Sequence, residues 1–232
     1  MRTGAWRQAR QDAKAADHAV ARGTAPGLRL IDISPIVNAR IANWPGDVPY
    51  KMEKAADISA DGIDIGSMHT SFHVGAHTDA HRHYAKDGPD AAGMPIGHYY
   101  GPCQVVDVRA KNGKRFGMDD LATVPTAPRV LFKTGTFPDP YEWNDDFAAP
   151  SPGLIDELAA KGVVLVGFDT PSTDLFASKG LESHKRLFAH GIVNLEGLVL
   201  ADVKPGHYTL IAFPLRLEGA DASPVRAVLV AT

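Results

Sequence analysis

The amino-acid sequence predicts a single α/β domain that is rich in strands and poor in helices, and three observations carry that expectation. From Leu28 onward the chain is a series of short apolar runs, several rich in Val and Ile, separated by Gly, Pro, Asn and Asp. That is how strands and the turns between them read. Only two windows have helical spacing and helix-ending residues. The 232 residues contain no internal repeat, low-complexity tract or linker after residue 27, so one core is the economical arrangement.

Taken in order, residues 1–27 are Ala-, Arg- and Asp-rich without a hydrophobic face and end in the turn-prone Gly23-Thr24-Ala25-Pro26-Gly27. They read as a poorly ordered N-terminal extension, with the domain proper over 28–232. Strands are expected over 28–33, 66–73, 104–108, 129–133, 163–169, 192–200, 208–213 and 225–230. The clearer helix covers 152–161: Ser151 can cap it, Pro152 suits its first turn, Leu154, Ile155 and Leu158 share a face, and Gly162 ends it. It runs directly into Val163-Val164-Leu165-Val166, which makes half of an α/β unit. A second helix, 181–190, also stops at a glycine, Gly191.

Composition narrows the function. The chain is 44% apolar and 22% charged, and 24 basic against 27 acidic residues give a net charge of −3. No global basic field exists to hold nucleic acid. No window approaches 18 consecutive apolar residues, and the start lacks the apolar stretch of a secretory signal. Asp12 and Asp17 argue against a mitochondrial-type presequence. The one cysteine, Cys103, excludes an intramolecular disulfide framework and a Cys-rich zinc module. A cytoplasmic location is the expectation.

Histidine is where the sequence departs from the ordinary. Four of its ten histidines fall in the eleven residues from His73 to His83, in the run His73-Val74-Gly75-Ala76-His77-Thr78-Asp79-Ala80-His81-Arg82-His83. Imidazole with carboxylate is the ligand set of zinc and similar divalent metals. Fully extended, His73 and His77 would lie about 13 Å apart, too far for one ion with ligands at about 2 Å. The chain must therefore bend between them, and Gly75 is where it can. A helical reading at i, i+4 is disfavoured by Gly75 and by β-branched Val74 and Thr78. From His77 onward, His77, Asp79, His81 and His83 share parity and would share one face of an extended segment. The bland alternative is a solvated His-rich loop.

A second place offers a ligand. The run 192–200 is almost wholly apolar, yet carries Glu196 in its middle. A buried carboxylate needs a cation or a strong set of donors, with an arginine salt bridge as the plain alternative. Trp44 sits on a loop ending in Pro45-Gly46, where the plain reading is a core or rim aromatic. The stretch Asp169-Thr170-Pro171-Ser172 follows a buried strand and could supply donors that orient a ligand histidine, or simply form a capping turn.

These segments resemble the metal-dependent cyclase-like hydrolases, whose signature is H-x-G-T-H-x-D-x-P-x-H. Within that family they are most similar to the bacterial kynurenine formamidase (arylformamidase) branch. The resemblance extends from Ile33-Ser34-Pro35 and Trp44-Pro45-Gly46-Asp47 through His73 to Tyr84, Gly101-Pro102-Cys103, Asp169 to Ser172, His184 and Glu196-Gly197, to Ala222-Ser223-Pro224-Val225-Arg226-Ala227. It implies a barrel-like or layered mixed sheet with few helices, of the swivelling β/β/α type, and a homodimer. It further implies that His73, His77, Asp79 and Glu196 bind one zinc and that Asp79, His184 and Glu196 bind a second, with both carboxylates bridging. His83 would be the general acid and base, and Trp44 would contact an aromatic substrate. Read alone, His184 looks like an ordinary exposed histidine beside Lys185 and Arg186, so its place rests on the resemblance.

Two positions depart from the signature. Ala76 replaces threonine, as is normal for formamidases, and His81 replaces proline. His81 either keeps the extended conformation proline would impose or adds a ligand, and its neighbours already fill the ligand roles. The implied activity is zinc-dependent hydrolysis of N-formyl-L-kynurenine to L-kynurenine and formate in tryptophan degradation. Manganese also suits the ligand set. The rival readings are a relative acting on an isatin-type cyclic amide or another small amide or ester, and a metal-binding protein without catalysis.

Overall fold

The computed structural model describes residues 28–231, so the extension expected over 1–27 lies outside the described residues. In chain order the strands are β1 (Arg29–Asp32), β2 (Lys51–Ala56), β3 (Ile65–His69), β4 (His77–Asp79), β5 (Tyr100–Asp107), β6 (Arg115–Phe116), β7 (Arg129–Lys133), β8 (Ala149–Pro150), β9 (Leu165–Phe168), β10 (Val193–Leu195), β11 (Gly206–Ile211), β12 (Ala222–Pro224) and β13 (Val228–Ala231). The α-helices are α1 (Ile58–Asp61), α2 (Pro152–Ala160) and α3 (Glu182–His190).

Seven strands form one open mixed sheet in the order β1-β13-β11-β5-β7-β9-β10. The pairings from β1 to β5 are antiparallel, and those from β5 through β7 and β9 to β10 are parallel. The layered alternative is therefore the one observed, with β1 and β10 as the outer strands of an open sheet among the described residues. Helices α2 and α3 make the crossovers β7 to β9 and β9 to β10.

Both sheet faces are covered, which is why its central strands are apolar on both sides instead of alternating with polar residues. Val106, Val130, Phe132, Val166 and Phe168 pack under the helices against Leu154, Ile155, Leu158 and Leu187. The opposite side chains, among them Cys103, Val105, Leu131 and Leu165, join Ile33, Tyr99, Leu195 and Leu229 in a second core. The one cysteine is thus buried sheet packing. In α2 the Ser151 hydroxyl accepts from Leu154 N–H at 3.1 Å, as its cap position predicts.

The structure corrects the sequence reading in several places. The strand expected over 66–73 is β3, which ends at His69 and pairs with β2 in an exposed hairpin whose first strand the reading omitted. Lys51, Glu53 and Lys54 break the apolar pattern of β2 because almost none of it is buried. The strand expected over 192–200 stops at Leu195, because Gly197 turns the backbone left-handed at φ +66. Strands β6 and β8 are two residues each, too short to carry a period.

These turns put the chemistry at one place. β10 and β9 end side by side, and β4 lies next to them, paired with β12 in a separate two-stranded sheet. The C-terminal ends of parallel strands are where open α/β sheets form clefts.

Candidate metal centre

The chain bends at Gly75, whose φ is +59, and this turns the His73 ring toward the His77 and Asp79 of β4. His77 then exchanges two backbone hydrogen bonds with Glu196, just past the end of β10. His77 Nδ1–H donates to the Gly75 carbonyl at 3.0 Å, so in the neutral ring the lone pair is on Nε2. His184 reaches the same point from α3, held by Asp174. The Asp174 carboxylate accepts from His184 Nδ1 at 2.8 Å and from the backbone N–H groups of Ser183 and His184, so one side chain both caps the helix and aims the ring.

The two buried carboxylates each face both sides of the cluster. Asp79 Oδ1 lies 3.0 Å from His73 Nδ1 and 3.6 Å from His77 Nε2, while its Oδ2 lies 3.3 Å from His184 Nε2. Glu196 Oε2 lies 3.4 Å from His77 Nε2, and Oε1 lies 3.4 Å from His184 Nε2. Ligand atoms of His73, His77 and Asp79 fall within 4.8 Å of one another, and so do those of Asp79, His184 and Glu196. Asn194 holds the carboxylates together, its Nδ2 donating to Asp79 Oδ2 and to Glu196 Oε1 at 2.9 Å each. Thr173 adds its backbone N–H at 2.7 Å and its hydroxyl at 2.6 Å to Glu196 Oε1.

Whether a divalent cation fits can be tested on these atoms. His77 Nε2 and Asp79 Oδ1 are buried and lack a hydrogen bond of acceptable geometry, an expensive arrangement for an acceptor unless a cation completes it. The field has the matching sign. Burial opposes charge on His73, but the carboxylates of Asp221 and Asp79 outweigh it and raise its pKa to about 10. Burial likewise opposes charge on His184, and Asp174, Asp79 and Glu196 raise it well above the usual histidine range. Burial pushes the Asp79 carboxyl up, yet His184 and His73 hold it well below the usual carboxylate range. The site attracts positive charge, and its nitrogen and oxygen donors suit zinc or manganese.

The cluster floors a cavity of 630 Å³ whose apolar walls include Trp44, Trp143, Phe72 and Phe137. That is the size and character of a small-molecule site. The Trp44 and Trp143 rings meet edge-on at 5.3 Å, and Phe176 lies 5.1 Å from Trp44. His83 lines the cavity too, its ring 4.4 Å from that of His73.

The comparisons with known proteins agree with this geometry. Residues 31–175 match the Cyclase family model, described as "Putative cyclase". The chain belongs to the cyclase family. A cyclase-family relative, the kynurenine formamidase of Sphingopyxis alaskensis (strain DSM 13593 / LMG 18877 / RB2256), is 42% identical over 204 residues, which is 87% of this chain and 97% of that protein. A solved cyclase structure, described as a potential metal-dependent hydrolase with cyclase activity, superposes with a TM-score of 0.74 at 26% identity over 89% of this chain and 99% of its own. Isatin hydrolase A from Ralstonia solanacearum has the same fold, with a TM-score of 0.75 at 19% identity over 100% of this chain and 98% of its own.

All seven residues singled out from the cyclase resemblance surround this one cavity: His73, His77, Asp79, His83, His184, Glu196 and Trp44. Two details of the reading fail. The extended face stops at Asp79, because residues His81–His83 form a 3-10 turn. His81 consequently points away from the cluster, is buried, and hydrogen-bonds the Ile192 carbonyl at 3.0 Å through Nε2. It occupies the first position of a turn, where proline also fits, and does not maintain an extended conformation.

Several contributors escaped the sequence reading, Thr173 among them. Asn194 had a signal, since it shares parity with Glu196. Asp174 lies two residues past the Asp169 to Ser172 stretch. In that stretch Asp169 ties loops together by accepting from the N–H groups of Thr134 and Gly135. Trp143 and Asp221 reach the cavity from segments with no local pattern.

Proposed function

We propose that this protein is a metal-dependent arylformamidase that hydrolyses N-formyl-L-kynurenine to L-kynurenine and formate, the reaction of tryptophan degradation. The observation that carries this reading is the placement of a histidine and carboxylate cluster at the floor of an aromatic-walled cavity, in a chain 42% identical to a kynurenine formamidase. His73, His77, Asp79 and Glu196 would hold one zinc, and Asp79, His184 and Glu196 a second, with manganese as an alternative occupant. The two oxygens of each carboxylate, directed to opposite sides, support that bridging assignment. The chemistry that such cations supply when bound is Lewis-acid polarisation of a carbonyl and a lowered pKa for water.

The chain's own residues supply the rest. Trp44, backed by Trp143, orients the aromatic ring of the substrate on the cavity wall. His83, at the cavity edge, takes a proton from the attacking water and returns it to the departing aryl nitrogen as the C–N bond breaks. Asn194 and Thr173 keep the Glu196 carboxylate fixed through the cycle. An aromatic amine leaves more readily than an alkyl one, which suits a formanilide.

A homodimer is part of the proposal. Met52, Ile58, Ile63, Ile65 and Met68 are all exposed on the β2–β3 hairpin and the segment it encloses, an apolar surface that a second copy would cover. Among the described residues no helix is long and apolar enough to cross a membrane. A cytoplasmic site of action is proposed with it.

The test is steady-state kinetics of the zinc-loaded protein on N-formyl-L-kynurenine and isatin side by side. The proposal expects kcat/KM to favour the formamide. Turnover of isatin alone would overturn the substrate, and turnover of neither would overturn the activity.

A further inference from the structure

We propose that Asp221 is a positioning residue for His83, holding the imidazole so that its Nε2 is presented to the cavity as a proton acceptor. This rests on the assignment of His83 as acid and base. Asp221 Oδ2 lies 3.3 Å from His83 Nδ1 and 3.2 Å from His73 Nε2. A carboxylate oxygen only accepts, so each nitrogen facing it carries its hydrogen there. In neutral His83, a proton fixed on Nδ1 leaves the lone pair on Nε2, which is the form a general base requires.

The backbone fixes where this carboxylate can be. The Asp221 carbonyl accepts from Ala80 N–H at 2.8 Å, and the next residue, Ala222, pairs with Asp79 in the β12–β4 ladder. Asp221 is therefore registered against a proposed ligand, and the His83 ring is registered against Asp221. Without that contact the ring, partly exposed, is free to adopt either tautomer and to rotate.

Because the same oxygen also meets His73, the test must separate two routes of action. Zinc-loaded Asp221→Ala and Asp221→Glu proteins would be compared for kcat, KM and bound zinc, and Asp221→Ala would be repeated in a His83→Ala background. The proposal expects Asp221→Ala to lower kcat by about 10- to 100-fold, the usual cost of losing an orienting partner. KM and bound zinc should stay unchanged, and Asp221→Glu should recover part of the loss. In the His83→Ala background the same substitution should cost nothing further. Loss of zinc together with activity, or an equal fold loss in the His83→Ala background, would place the effect on His73 and overturn the proposal. An undiminished kcat in Asp221→Ala would overturn it too. Parental turnover in His83→Ala alone would instead sink the acid and base assignment, and the proposal with it.

Discussion

His77 and Glu196, far apart in sequence, form an antiparallel bridge in which His77 N–H donates to the Glu196 carbonyl at 3.1 Å and Glu196 N–H donates to the His77 carbonyl at 2.9 Å. That exchange fixes the two side chains on one side of the bridge, with Oε2 and Nε2 3.4 Å apart. The spacing of a proposed ligand pair is thus set by main-chain hydrogen bonds instead of by flexible side chains.

The bridge depends on Gly197. A Cβ there would lie 2.3 Å from the Gly75 carbonyl oxygen, and φ is +66. Gly197→Ala is expected to lose about 2 kcal/mol of stability, from the left-handed backbone and the clash with rigid main chain, and to weaken zinc binding. Urea unfolding and a chelator competition titration measure the two effects. An unchanged protein by both would mean that the bridge does not set the site.

Asp174 caps α3, aims the His184 ring and pairs with Arg115 at 2.6 Å. Asp174→Ala removes the acceptor for Ser183 and His184 N–H, at a cost of about 1 kcal/mol, and frees the His184 ring. Affinity for one of the two proposed zinc ions should fall about 10- to 100-fold, read by titrating zinc against a chromophoric chelator. The stability loss without an affinity loss would show that His184 is not a ligand.

The aromatic wall predicts a different pattern. Trp44→Ala should raise KM for N-formyl-L-kynurenine roughly 2- to 10-fold, the worth of one aromatic contact, while bound zinc stays constant. Turnover of a small non-aromatic formamide should be insensitive to the change. Equal losses on both substrates would assign Trp44 to packing with Phe176 and Trp143 instead.

Metal uptake should depend on pH with a definite sign. Without metal, Asp221 and Asp79 keep His73 protonated up to about pH 10, and Asp174 with Asp79 raises His184 in the same direction. Ligation requires neutral imidazole, so zinc addition at pH 8 should release protons, and affinity should rise with pH. An indicator dye in weak buffer follows the release. Zinc binding without proton release would contradict the ligand assignment of His73 and His184.

The legible parts of this molecule are those whose signal is local. Strand 129–133 reads directly from its Val, Leu and Phe, and α2 from Ser151, Pro152 and its apolar face, because adjacent residues decide both. The His73 to Asp79 segment was legible for the same reason, with Gly75 marking the bend. Strand β2 was hidden because Lys51, Glu53 and Lys54 interrupt the apolar pattern of a strand that buries almost nothing. Asp221 and Trp143 were hidden because their roles arise from contacts across the chain, through the β12–β4 pairing and the aromatic wall. His81 shows the limit of parity reasoning, since the strand it was counted on ends two residues earlier at Asp79.

The most direct test of the account is a zinc titration of chelator-stripped protein, with bound metal and hydrolysis of N-formyl-L-kynurenine measured on the same samples. The account predicts no turnover without metal, and activity that climbs with bound zinc to a plateau at two ions per chain. Full turnover in metal-free protein, or zinc bound to saturation with the formamide untouched, would contradict it.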